Sequence, residues 1–366
     1  MENINYVVDP EGDVILTLLN PNKPFASWNQ GEIFPSTVRP VAAAQNAQTQ
    51  RGAVQSNPNT SPGNPTPVLQ DMTSVEPSEP KQDTQTTQVR YLVSSKALSL
   101  GSAYFAKSFR KPLIENLEKK GGHFHITTES WRENTLLTLL RLIHCRGTRA
   151  TVKSIDALAA FGMLVDYFGC LPVAYVYGSN WTCYVGDQCK GNDMGYNRTT
   201  VLYLFCAYYF QDAKLFSELS AALIRKFRGK IPSLGLPLPN KLIEDMNETR
   251  ERGLDFIAGR IQGMKRTLSL NAPCGTFECT IFRHGVFRKH LIATNIHHKA
   301  ITACKDGFSV SEILDALRSV SEPRWNIITA MPRKHSGSYR CSLVSTVNEL
   351  TRDCLDKIQG LDIEYY

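Results

Sequence analysis

Val-Arg-Tyr-Leu-Val-Ser-Ser-Lys-Ala-Leu-Ser-Leu-Gly-Ser-Ala-Tyr-Phe-Ala-Lys-Ser-Phe-Arg, residues 89–110, is the stretch on which the fold turns. Its opening places Val89, Tyr91 and Val93 at every second position, the period of a strand. At Ser94 and Ser95 the pattern changes, since a serine ahead of an apolar periodic run can cap the orphan amides of a helix. Leu98, the Gly101–Ser102 pair, Phe105 and Phe109 then follow at three- and four-residue steps and share one face. The reading is a strand feeding two short helices that cross at small residues, with Leu98, Tyr104 and Phe105 in the core.

Working outward, Asp9-Pro10-Glu11-Gly12 is a turn signal ahead of an apolar strand over 12–19. Between 34 and 88 the composition shifts to Pro, Gln, Asn, Thr and Ser with almost no large apolar residues. Such a segment cannot bury enough surface to offset its ordering entropy, so a disordered insertion is expected there. Long insertions are tolerated because loop-closure entropy grows only logarithmically with length. Downstream, 111–120 reads as a charged loop, and Gly121-Gly122 leads into a strand alternating at Phe124 and Ile126.

A helix is expected over 131–144. Another is capped by Ser154 and turns Ile155, Leu158, Ala159, Met163 and Tyr167 inward. Residues 178–200, rich in Gly, Asn and Asp, read as a loop. Two helices broken near Gln211-Asp212 follow within 201–227, then a proline-flanked linker and a long amphipathic helix ending at 270. Its stripe runs through Leu242, Ile243, Met246, Arg250, Leu254, Ile257 and Ile261. A turn at Cys274 to Cys279 precedes helices around Phe287, over 313–317 and over 343–358. The fold class is therefore α+β: a small sheet with clustered helices, followed by an all-α C-terminal region over 201–366.

The chain has 366 residues and 42% hydrophobic content, enough for a substantial core and, by length, about two domains. Its net charge of +7 comes from scattered Lys and Arg, a solvated basic surface and not a nucleic-acid footprint. Direct nucleic-acid binding is not expected, because no finger, homeodomain, basic zipper or aromatic–basic groove pattern is present. No apolar run approaches the ~20 residues of a membrane span, and residues 1–10 carry no secretory signal pattern. The expectation is an intracellular protein of nucleus or cytoplasm, with its ten cysteines mostly reduced or metal-bound.

The chain has no Gly-x-Ser-x-Gly elbow, phosphate-cradling glycine loop or His-Glu-x-x-His, so catalysis is not expected. His123-x-His125 puts two imidazoles on one strand face without a third ligand at diagnostic spacing. His290 and His297-His298 read as solvated. The sharper chemistry is Cys274-x4-Cys279, shaped by Pro273 and Gly275, which His335 and Cys341 would complete as a tetrahedral zinc site. Against it stand the wide spacing and the tendency of free cysteines to pack as small hydrophobes.

Residues 12–19 and 89–170 resemble the BTB/POZ domain, and the whole chain is similar to BTB/POZ proteins of the fungal type. The resemblance rests on Gly12-Asp13-Val14, on Leu98 with Ser102-Ala103-Tyr104-Phe105, and on Ile126. It rests also on Leu139-Leu140-x-Leu142-Ile143-His144 and Asp166-Tyr167-x-x-Cys170. Ala207-Tyr208-Tyr209-Phe210 and Leu215-Phe216 resemble the segment that follows the domain in those proteins. The resemblance assigns 9–33 and 89–177 to one interrupted domain.

It implies non-catalytic protein–protein interaction, often as a homodimer, in a transcription-associated scaffold or a substrate adaptor of cullin-type ubiquitin ligases. Leu113-Ile114-Glu115 lies where adaptors carry the triplet that meets the cullin, with a solvated loop as the bland alternative. The sequence departs from the family where a His-Lys or His-Arg pair is common and its cation faces the residue matching Asp13. Ser94-Ser95 stands there, so Asp13 needs hydrogen bonds or protonation. The alternative function is a zinc-binding or redox-responsive protein using Cys274, Cys279, His335 and Cys341.

Overall fold

A nearly continuous apolar run makes residues 14–19 a strand buried on both faces, and the sheet is built around it. The computed structural model describes residues 3–28, 87–110, 119–146, 152–189, 197–270, 272–322 and 341–366. The strands are β1 (Tyr6–Val7), β2 (Val14–Leu19), β3 (Gln88–Val93), β4 (Lys119–Lys120) and β5 (His123–Glu129), in the order β1-β3-β2-β5-β4. β2 runs antiparallel to β3, with Val14 opposite Val93, and parallel to β5, with Val14 opposite Phe124. Val14, Leu16 and Leu18 are fully buried, as the central position of the strand requires. A Cβ at Gly12 would lie 2.7 Å from the Val93 carbonyl oxygen, so only glycine lets the chain enter β2 this close to β3. The expected insertion over 34–88 lies almost entirely outside the described residues.

A parallel β2–β5 pair needs a crossover, and helices α1 (Ser95–Gly101) and α2 (Ala103–Ser108) lie within it. Ser102 caps α2 by accepting from the Phe105 N–H at 3.1 Å and donates its own hydroxyl to the Phe168 carbonyl at 2.6 Å. Phe105 stacks on Phe168 with ring centroids 5.0 Å apart. The small residue at Gly101 lets α1 meet α3 (Glu133–Ile143), where a Cβ would lie 2.9 Å from Ile143.

Two expectations for this region are corrected. Ser94 occupies the N-cap of α1 but makes no side-chain capping bond. Tyr104 is 39% and Tyr167 51% exposed, and the two rings meet at the surface 5.7 Å apart. The residues that enter the core are their neighbours Phe105 and Phe168; the tyrosines keep their phenols near water.

Helix α4 (Ile155–Phe168) has its Ser154 cap and ends at Gly169, whose φ of +60° is the left-handed C-cap. The expected loop over 178–200 is corrected at its start, because α5 spans Leu171–Cys189. Trp181 packs edge-on against Phe161 at 5.1 Å, and the Thr182 hydroxyl donates to the Gly178 carbonyl at 2.8 Å. Gly178 is a packing glycine, not a turn: a Cβ there would meet Phe210 at 2.0 Å. Composition alone does not distinguish the two uses.

The C-terminal half is helical: α6 (Arg198–Tyr209), α7 (Ala213–Lys226), α8 (Asn240–Leu270), α9 (Phe277–Ala293), α10 (His298–Ala303), α11 (Val310–Arg318) and α12 (Leu343–Lys357). One apolar core runs from Val8 beside the sheet to Ile363 near the C-terminus. Arg250, on the α8 stripe, is 1% exposed and is no apolar stand-in. It donates to the carbonyls of Phe227 at 3.0 Å and Lys305 at 2.8 Å, tying the end of α7 to the turn before α11. Among the described residues no helix is long and apolar enough to cross a membrane.

Candidate metal centre and the Asp13 pocket

Pro273 and Gly275 shape a tight turn between α8 and α9. The Gly275 N–H donates to the Ala272 carbonyl at 2.8 Å, with Gly275 at a φ of +74°. The Ala272 N–H donates to Thr280 Oγ1 at 2.9 Å, which ties the turn to the first turn of α9. The arrangement leaves Cys274 exposed and turns Cys279 fully inward. Cys341 arrives from the other side, immediately before Ser342, whose hydroxyl caps α12 by accepting from the Ser345 N–H at 3.0 Å. The Glu322 carboxylate strengthens this helix start by accepting from the N–H groups of Leu343 and Val344 at 3.1 and 3.0 Å.

The three sulfur atoms of Cys274, Cys279 and Cys341 lie within 4.8 Å of one another. Their proton affinities are split. Burial alone would raise Cys274, but hydrogen bonds from Thr276 and from the two neighbouring thiols outweigh it and hold Cys274 at about 7. Burial and the adjacent thiols push Cys279 up to about 12, and burial with the hydrogen bond to Cys274 raises Cys341. Cys274 is therefore the member of the cluster that gives up its proton most readily, with the other two thiols hydrogen-bonded to it.

One helical turn beyond Cys279 is Arg283, 4% exposed. Its Nη2 donates to Thr346 Oγ1 at 3.0 Å, and its buried Nε has no partner among the described residues. No carboxylate pairs with it among those residues.

A second constellation lies where β3 meets α1. The Asp13 carboxylate accepts from the Ser95 N–H and the Ser95 hydroxyl, both at 2.7 Å. Burial works to raise Asp13, but these two bonds and the charge of Lys96 outweigh it and hold the carboxyl below its ordinary value. The Ser94 N–H donates to His144 Nε2 at 2.9 Å, so the other ring nitrogen carries the proton and donates to the Leu140 carbonyl at 2.7 Å. Burial lowers the His144 pKa and favours this neutral form. The hydrogen bonds that Asp13 requires in place of a cation are supplied by Ser95.

Of the residues singled out in the sequence, Cys274, Cys279 and Cys341 are brought together, while His335, Leu113 and Glu115 lie outside the described residues. His123 and His125 are half-buried on β5. His290 and His297 are not the solvated surface groups expected. His290 Nε2 lies 2.7 Å from the Ala316 carbonyl oxygen, and His297 caps α10 by accepting from the Ala300 N–H at 3.1 Å. Sequence reasoning placed Arg250 on the inward stripe without a role, and missed the roles of Ser95, His144 and Arg283. Arg283 carried a signal in its four-residue spacing from Cys279 on one helix face. Compared with known proteins, the chain matches no family model, no curated protein and no solved structure.

Proposed function

We propose that the chain is a non-catalytic protein–protein interaction protein built on a BTB/POZ-like domain, acting as a transcription-associated scaffold or a cullin-type ubiquitin-ligase adaptor. The observation that carries this reading is the order in which the motif residues fall on the fold. Asp13 and Val14 lead into the central strand β2, Leu98 and Phe105 lie on the paired helices, and Ile126 lies on β5, which runs parallel to β2. Leu139 to Ile143 then lie on the helix that follows that strand. The Asp13–Ser95 contact marks where the chain departs from that pattern. It satisfies within one chain a carboxylate that the resemblance would place opposite a cation.

The adaptor version is tested by mixing the purified chain with a cullin scaffold and following co-elution. The expected outcome is a complex that a Leu113→Ala, Glu115→Ala variant fails to form. Equal co-elution of that variant removes the contact assigned to these residues. Failure of the unaltered chain to bind leaves the self-associating scaffold, which light scattering tests separately.

A further inference from the structure

We propose that Cys274, Cys279 and Cys341 bind one zinc ion, which staples the α8–α9 turn to the start of α12, with Arg283 as the buried counter-charge. The proposal goes beyond the interaction reading and does not depend on it. Zinc–thiolate bonds of about 2.3 Å set tetrahedral sulfurs about 3.8 Å apart. Sulfurs already within 4.8 Å of one another reach that spacing by small rotamer adjustments, without moving a helix.

The surroundings of the cluster favour a metal over simple apolar packing. Ala272, Cys279 and Cys341 form a small buried group of their own, separate from the main core. Among the described residues this corner has only that small apolar group of its own, although it joins segments far apart in the sequence. A metal supplies such a junction directly, as it does in small domains that cannot build a core.

Charge leads to the same conclusion. Zinc with three thiolates carries a net charge of −1, each thiol having given its proton to solvent as its sulfur binds. Arg283 is a buried cation without a carboxylate among the described residues, on the Cys279 face of α9. A buried charge is costly unless matched, and a three-thiolate zinc site offers a matching net charge of −1. Soft sulfur donors restrict the metal to zinc, copper(I) or iron–sulfur clusters. Such clusters use four cysteines as a rule, and no fourth Cys, His, Asp or Glu joins the set among the described residues. The open side is at Cys274, the exposed member.

The test uses the full chain, purified without chelator and analysed for metal, with circular dichroism to establish folding. One zinc per chain is expected in the unaltered protein and in a Cys304→Ser control, whose exposed cysteine lies outside the cluster. Loss of the bound zinc is expected in Cys274→Ser and in Cys279→Ser. The first removes an exposed thiol and keeps the core intact, so it reads metal loss on folded protein. Cobalt(II) added to stripped, unaltered protein should give thiolate charge-transfer bands that Cys274→Ser weakens and the double Cys274→Ser, Cys279→Ser variant abolishes. The proposal is overturned if folded protein supplied with zinc holds none above background, if the double variant keeps its zinc, or if copper(I) alone is retained.

Discussion

Asp13 is half-buried at the mouth of the sheet, where an ionised carboxylate without donors is costly, and one residue supplies both donors it needs. Ser95→Ala removes the hydroxyl and leaves the backbone N–H. A hydrogen bond to a charged group at a half-buried site contributes about 1–2 kcal/mol, so this variant is expected to be less stable at neutral pH by that amount in urea unfolding. The pH dependence has a definite sign. The folded pKa of Asp13 lies below its unfolded value of about 3.9. Its stabilisation is therefore present above that value and is lost as the pH falls through the folded pKa. In Ser95→Ala the acid-side loss should shrink, because less stabilisation of the carboxylate remains to be lost. Equal acid sensitivity in both proteins would contradict the role given to the hydroxyl. At this scale the need of Asp13 for donors was legible in the sequence, but the identity of the donor was not. Serine signals a helix cap, and only the approach of β3 to the start of β2 turns Ser95 toward a carboxylate.

Among the elements, α5 shows how a helix hides from composition. Its glycines, asparagine and aspartate mimic a loop, yet Gly178 lies on a helix against Phe210, which is 1% exposed. Replacing an interior glycine by alanine gains about 1 kcal/mol of helix propensity. A Cβ placed 2.0 Å from a buried ring meets overpacking of about 1–3 kcal/mol, and the packing term wins. Gly178→Ala is therefore expected to lower the unfolding midpoint in denaturant, and Gly178→Ala with Phe210→Leu to recover part of the loss. A stabilised single variant would show α5 packed otherwise. The elements read without difficulty were those with a sustained hydrophobic period, namely the β3–α1–α2 unit, α4 behind its Ser154 cap, and α8. The aromatic pairs on α2 and α4 were harder, since adjacent Tyr and Phe differ in burial only once the helix is rotated onto its neighbour.

On the scale of the whole molecule, the sheet, the helix pair and the C-terminal helices share one apolar core, with the cysteine corner standing apart from it. The α+β class followed from the change of hydrophobic period within 89–110. The charge pairing inside the C-terminal half did not, because buried Arg250 and Arg283 occupy positions that a hydropathy pattern treats as noise. A fold of this kind, read as an interaction module, has to bring chains together. Light scattering on the purified chain, alone at high micromolar concentration and then mixed with a cullin scaffold, tests that claim most directly. The account predicts a mass above that of the single chain in at least one of the two conditions. A monomer alone, with no complex on mixing, would contradict it.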